Sequence, residues 1–219
     1  MHIQFRDRTE AGQLLARKLA KYTNCAKVFV IALPRGGVPV GYQVAQALNA
    51  PLDVFVVRKL GVPGQKELAM GAIASGGGRI LNGDVIKTLG ISDAAINEVV
   101  TREERELERC ERAYRGNRPV VDVQGCTVIL VDDGVATGST MWAAVEALRQ
   151  LGAGRIVVAT PTAALSTMQE MRGGVDEFVA VMSPADFVGV GEWYEDFSQT
   201  TDEEVRTLLE KSSQLPQAA

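Results

Sequence analysis

The stretch "VILVDDGVATGST", Val128 to Thr140, decides how this chain is read. Four apolar residues, Val128 to Val131, run without a break into two carboxylates, Asp132 and Asp133. An unbroken apolar run is what a parallel strand needs when both its faces are covered. The small residues that follow, Gly134 to Thr140, form a loop before a helix predicted from about Ser139 to Leu151. Such a loop offers backbone N–H groups and the positive end of a helix dipole, a ready place for an anion. Thr137, Ser139 and Thr140 add hydroxyl donors. The loop lacks the lysine of G-x-x-x-x-G-K-[ST], so it is not a nucleoside-triphosphate P-loop.

A second loop of the same kind lies upstream. "KVFVIAL", Lys27–Leu33, reads as a buried strand ending in "PRGG", Pro34 to Gly37. A helix is predicted from about Pro39, with Val40, Val44, Ala47 and Leu48 inward. In open α/β sheets ligands bind beyond the carboxyl ends of the strands, which is where both loops sit. "GGVPVG" misses the dinucleotide pattern G-x-G-x-x-G. Asp132 and Asp133 would repel phosphate, but they suit vicinal sugar hydroxyls, or Mg2+ bridging sugar and phosphate oxygens. A ligand with a sugar in the middle and phosphate at both ends fits all three pieces.

The remaining segments alternate in the same way. A helix begins at Asp7, which with Glu10 makes a capping arrangement, and Ala11, Leu14, Leu15 and Leu19 share one face. "DVFVVRK", Asp53–Lys59, is predicted as a strand and "LGVPGQKEL" as a Gly/Pro-punctuated loop. "GAIA" and "RILN" flank the turn "SGGG" as a hairpin. Ser92 to about Arg115 is a heavily charged helix with a thin apolar stripe of Ile96, Val99, Val100, Leu107, Cys110 and Tyr114. That stripe suits a solvated helix or an arm that pairs with a second subunit, so a homodimer is expected. "RIVVAT" and "EFVAVM" are further strands with a helix near Ser166–Met171 between them, and Thr201 with Glu204 caps a last helix, "DEEVRTLLEKS". The final "SSQLPQAA" reads as a frayed end. The fold class is therefore α/β, a mainly parallel twisted sheet flanked by helices.

Composition narrows the function. The 219 residues carry a net charge of −4, with no basic excess to suggest nucleic acid and no apolar run to suggest a membrane. The start "MHIQFRDRTE" lacks a signal-peptide core, and Cys25, Cys110 and Cys126 are widely spaced, as in a reducing, cytoplasmic setting. The one histidine, His2, reads as an ordinary terminal residue, so triads and histidine-based zinc sites have no candidates.

The stretch Val128–Thr140 resembles the 5-phosphoribosyl-1-diphosphate (PRPP) signature of type I phosphoribosyltransferases, and the resemblance extends over most of 27–182. "PRGGVPVG", "RKLGVPGQKELAMGA" and "DFSQTTDEEV" are similar to a bacterial group of predicted phosphoribosyltransferases without assigned substrates. The resemblance implies a single domain over 1–219, with a core at about 27–182, a charged helical insertion at 92–115 and a hood or tail at 183–219. It implies that Asp132 and Asp133 are the catalytic pair, binding the ribose hydroxyls directly or through Mg2+ and water. Ala136, Thr137, Gly138, Ser139 and Thr140 would cradle the 5-phosphate. Arg35, Gly36 and Gly37 would hold the pyrophosphate, with Lys59 or Lys66 on a mobile loop at Leu60–Leu68. The aromatic cluster around Trp193 and Tyr194 suits a hood that stacks a flat acceptor base. The implied reaction is Mg2+-dependent transfer of the phosphoribosyl group of PRPP to a nitrogen acceptor such as a nucleobase; the alternatives are a non-catalytic PRPP sensor and a generic phosphosugar-binding protein. Two features depart from the family. Ala136 stands where 6-oxopurine enzymes carry an aspartate, and the loop has no histidine of the orotate type.

Overall fold

The computed structural model describes residues 4–116, 118 and 121–214, apart from the side chains at 66 and 67. In chain order the elements are α1 (Arg8–Lys18), β1 (Val28–Ala32), α2 (Gly37–Leu48), β2 (Leu52–Val54), β3 (Val57–Val62), β4 (Gln65–Ala74), β5 (Gly78–Leu81), α3 (Gly83–Leu89) and α4 (Asp93–Arg115). They continue with β6 (Thr127–Val131), α5 (Ser139–Gln150), β7 (Arg155–Thr162), α6 (Leu165–Met171), β8 (Glu177–Met182) and α7 (Asp202–Ser213). The main sheet has five parallel strands in the order β2-β1-β6-β7-β8, and β3, β4 and β5 form a separate antiparallel sheet. No helix among the described residues is long and apolar enough to cross a membrane.

The apolar strands alternate between two cores. Val128 and Leu130 of β6 pack with Met141, Ala144 and Leu148 of α5. Ile129 and Val131 turn to the other face, against Leu15 of α1 and Val40 and Val44 of α2. Full burial of such a side chain is worth about 1.5–3 kcal/mol, so both faces must be covered, as the unbroken apolar run requires. The two predicted caps form, Asp7 accepting from the Glu10 amide and Thr201 from Glu204, and Ser92 caps α4 in the same way by accepting from Ala95.

Four expectations need correction. The run Asp53–Lys59 is not one strand. It ends its parallel pairing at Val54 and leaves the main sheet through Phe55 and Val56 to begin β3, because both residues are core for different layers. Leu60–Leu68 is not an open loop: β3 and β4 pair antiparallel through it, with Val62 opposite Gln65 and the turn at Pro63–Gly64. Ala47 is not inward: it is exposed, and Ala45 is buried in its place. Ser212 and Ser213 continue α7, while 215–219 lie outside the described residues, as does His2.

The charged helix is not detached either. Its stripe packs on Leu60, Val62, Met70 and Ile73 of the antiparallel sheet and on Val205 and Leu209 of α7. The stripe is thin because one small sheet and one helix are enough to cover it. Its burial is thus accounted for within the chain, without a second subunit.

Candidate functional site: two loops at the carboxyl edge of the sheet

β6 stops at Val131, and the acidic pair follows at once. The Asp133 amide donates to Asp132 Oδ1 at 2.9 Å. The Asp133 carboxylate accepts from Arg8 Nε at 2.8 Å, both side chains being largely buried. Arg8 also donates to the Ser198 carbonyl at 2.7 Å and lies over the Phe197 ring, 4.1 Å from its centroid. Burial, followed by the like charge of Asp133, holds the Asp132 carboxyl well above the usual carboxylate range. Burial raises Asp133 too, although Arg8 opposes it. The site thus carries a destabilised acid, Asp132, beside one whose charge is matched. Of the two acids, Asp133 is the one paired with a cation, Arg8.

The loop after β1 is packed directly against this pair. The Leu33 amide donates to the Val131 carbonyl at 2.8 Å, and the Pro34–Arg35 peptide is cis. A Cβ at Gly36 would fall inside the Asp133 carboxylate. A Cβ at Gly37 would lie 2.7 Å from the Val131 carbonyl oxygen and 2.9 Å from Asp132 Cα. Both glycines exist for close approach, since neither has a positive φ. The amides of Gly37 and Val38 donate to Leu33 and Arg35 carbonyls, each at 3.1 Å. Gly37 is therefore a spacer and not the anion donor expected of it. Gly36→Ala is expected to push the Asp133 carboxylate off Arg8 and to destabilise the chain by about 1–3 kcal/mol, as overpacking does. Thermal unfolding checks this; an unchanged melting temperature would contradict the packing described.

The third part is the loop into α5. Thr167 Oγ1 donates to the Ala136 carbonyl at 2.5 Å, and the Val135 amide donates to the Thr162 carbonyl at 2.9 Å, which fix the loop from the side of β7 and α6. Gly138 is the N-cap of α5, with φ 74° and no side-chain cap. First-turn amides of a helix have no intrahelical acceptor. The hydroxyls of Thr137 and Ser139 lie 3.3 Å apart on the exposed rim, next to them. The loop 136–140 thus brings hydroxyls beside the free first-turn amides of α5, just beyond Asp132 and Asp133.

A family model described as the phosphoribosyl transferase domain matches residues 7–190. The chain belongs to that family. Two curated relatives from Mycobacterium tuberculosis strains CDC 1551 and H37Rv, each named a putative phosphoribosyl transferase, are 44% identical over 208 residues, or 95% of this chain. The chain spans about half the length of these relatives, 47%. A crystal structure of TT1426 from Thermus thermophilus is 40% identical, covers 95% of this chain and 99% of its own, and superposes with a TM-score of 0.84.

In this phosphoribosyltransferase domain the other expected residues fall as follows. Arg35 is half-exposed and reaches a cavity of about 320 Å3 that Thr140 also lines. Lys59 is exposed and lines a second cavity of about 350 Å3 with Ser139, Thr140 and Trp142. The Lys66 side chain lies outside the described residues. Trp193 and Tyr194, expected to stack an acceptor, are only 6% and 4% exposed. They pack with Phe5 and Ala11 in a small core, Trp193 against Phe187, and the Tyr194 hydroxyl donates to the Asp133 carbonyl at 2.6 Å. Burial in that core raises the Tyr194 phenol. Their faces are covered by the chain, so they support the acidic loop from behind.

Sequence reasoning missed Arg8, which holds Asp133. Arg8 had one signal: a cation in the first turn of a helix opposes the macrodipole and calls for a partner.

Proposed function

We propose that this chain binds PRPP and transfers its 5-phosphoribosyl group to a nitrogen acceptor with release of pyrophosphate. The 5-phosphate lies at Ala136–Thr140, the ribose hydroxyls at Asp132 and Asp133, and the diphosphate toward Arg35. One observation carries the reading: Gly36 and Gly37 press the Arg35 turn onto the acidic pair, one turn before the uncapped start of α5. Donors for two phosphates thus flank acceptors for a diol within one compact edge.

Arg8 resolves the apparent conflict between carboxylates and phosphate. It neutralises Asp133, so the pair presents about one negative charge to a highly charged ligand instead of two. Asp132 keeps a raised affinity for protons, which marks it as a group that gains from a cationic or hydroxyl partner. Mg2+ is usually held by one or two carboxylates together with substrate phosphates, not by a protein cage. The residues fit that mode: no three ligating side chains converge among the described residues, whereas Asp132 and Asp133 stand together. Mg2+ bound there would offset the charge of the diphosphate.

Displacement at ribose C1 develops positive charge on the sugar and negative charge on the departing diphosphate. In this chain Asp132 would orient the ribose, the α5 amides would hold the phosphate as a fixed anchor, and Arg35 would stabilise the leaving anion. Preorganised donors of this kind are each worth ~10²–10³ in turnover.

The experiment is pyrophosphate release from PRPP with Mg2+ across a panel of nucleobases and small amines. Acceptor-dependent release is expected. Tight PRPP binding without turnover on any acceptor would make the protein a sensor, and absence of PRPP binding would overturn the reading altogether.

A further inference from the structure

The segment 183–201, between β8 and α7, runs past the acidic pair and is fastened in two different ways. As far as Asp196 it is paired with the start of the chain. The Phe5 amide donates to the Trp193 carbonyl at 2.8 Å, the Glu195 amide to the Phe5 carbonyl at 2.8 Å, and the Asp196 amide to the Arg6 carbonyl at 2.9 Å. Phe5, Trp193 and Tyr194 share a small core behind this pairing. Residues 197–200 then form a short strap that leads to Thr201, the cap of α7. Over these four residues it is Arg8, the first residue of α1, that joins the strap to the acidic loop.

Arg8 uses three properties of a guanidinium at once. Its Nε donates to Asp133 Oδ2 at 2.8 Å, its Nη1 donates to the Ser198 carbonyl at 2.7 Å, and its flat face covers the Phe197 ring at 4.1 Å from the centroid. A planar fork with fixed donor directions makes all three contacts in one conformation. A lysine ammonium, a point charge on a flexible stem, keeps the first contact and not the set. The Arg8 and Asp133 side chains are only 11% and 13% exposed, so the pair is held tightly. The strap is not: Phe197 is 38% exposed, and Ser198 and Gln199 are exposed as well. Arg8, Asp133, Phe197, Gln199 and Thr200 together wall part of a cavity of about 340 Å3. A segment with few buried contacts opens locally once its tether is lost.

We propose that Arg8 is a positioning residue with two separable duties: its charge sets Asp133 for the sugar, and its fork holds the strap 197–200 against that acid. The wall beside the acidic pair is then assembled from both ends of the chain. The proposal deepens the function given above and rests on its placement of the ribose beside Asp132 and Asp133.

The test compares full-length wild type, Arg8→Lys and Arg8→Met by two readouts: amide hydrogen exchange followed residue by residue by NMR, and calorimetric titration with PRPP and Mg2+. Melting curves establish that each variant is folded. Exchange at 197–200 should rise about tenfold or more in both variants, the scale of one charge-assisted hydrogen bond lost. Exchange at 193–196, held by the start of the chain, should stay within about threefold of wild type. Arg8→Lys keeps the charge, so it should bind PRPP within about threefold of wild type, whereas Arg8→Met should bind it about tenfold or more weakly. A merely structural arginine would not split the two readouts in this way: both segments would loosen together and PRPP binding would follow in both variants. The proposal is overturned if Arg8→Lys leaves exchange at 197–200 unchanged, if 193–196 loosens as much as the strap, or if wild type binds PRPP and Arg8→Met binds it equally well. Should Arg8→Met fail to fold, Arg8→Lys decides alone: a loosened strap with PRPP affinity near wild type supports the proposal, and any other result overturns it. Failure of the wider phosphoribosyltransferase reading would look different: wild type would bind no PRPP, while both variants still loosened 197–200.

Discussion

Arg115→Met is expected to lower the stability of the chain by about 3–5 kcal/mol, the usual cost of leaving a buried charge without its partner. Arg115 lies in the last turn of α4 with its side chain 4% exposed. Its Nε donates to Asp53 Oδ1 at 2.8 Å, its Nη1 to Glu111 at 3.1 Å, and its Nη2 to the Val54 carbonyl. Asp53 also accepts from its neighbour's amide, Val54, at 2.7 Å and from Val121 at 3.4 Å. The pair thus nails the end of the charged helix to β2, the edge strand of the main sheet. Methionine keeps the volume but strands the Asp53 carboxylate. With roughly 2–4 °C lost per kcal/mol for a domain of this size, the melting temperature should fall by about 10 °C. Adding Asp53→Asn should recover part of the loss, because the stranded charge is then gone. A melting temperature within about 2 °C of wild type, the shift of less than 1 kcal/mol, would mean that α4 is not docked as described. The detached helix suggested by its thin stripe would then have to be reconsidered.

Asp132→Asn should move stability and activity in opposite directions. The Asp132 carboxyl binds its proton more tightly in the folded chain than in the unfolded one, owing to burial and then to Asp133. The folded state therefore holds the extra proton at pH values between the unfolded carboxylate pKa, ~3.9, and the raised folded value. Whatever stability Asp132 contributes is complete below the unfolded pKa and is lost as pH rises through the folded one. At neutral pH the ionised group is a burden, and asparagine relieves it. The variant should melt a few degrees above wild type at pH 7, since ~1 kcal/mol corresponds to roughly 2–4 °C. The gain should shrink toward zero in acid. Turnover with PRPP should drop by ~10²–10³, as when a preorganised electrostatic contact is removed. Such a trade of stability for function is common where a site holds a group at a cost. A variant that is less stable at pH 7, or equally active, would refute this description of the acid.

Much of the fold was legible because its signals are local. The apolar runs Val28–Ala32, Val128–Val131 and Ile156–Ala159 suit covered strands, and Asp7 and Thr201 announced helix starts by their side-chain chemistry. The break at Phe55–Val56 was not legible. Both residues are apolar and both are buried, and no residue type between them signals that the chain changes sheets. Pro63 and Gly64 were read as part of a loop, yet two residues of that kind serve equally well as the tip of a hairpin.

The site divides in the same way. Asp132, Asp133 and the donors Ala136–Thr140 form one contiguous stretch, so their order along the chain is their order in space. Gly36 was legible as a glycine, but its reason, the Asp133 carboxylate beneath it, was not. Arg8 and Asp133 are 125 residues apart, and Arg35 and Asp202 are 167 apart. Such pairs are created by packing and leave no trace in spacing. Trp193 and Tyr194 were misread for a related reason: a cluster of aromatics signals burial against something, and here that something is Phe5 near the start of the chain rather than a bound base.

We propose that the loop after β6 is a phosphate cradle with a sugar site immediately before it. A crystal structure of the chain with PRPP and Mg2+ is the decisive measurement. The 5-phosphate is expected within hydrogen-bond distance of the amides of Ser139 and Thr140 and the hydroxyl of Thr137, with the ribose hydroxyls turned to Asp132. A phosphate bound elsewhere, with Asp132 facing away from the sugar, would contradict it.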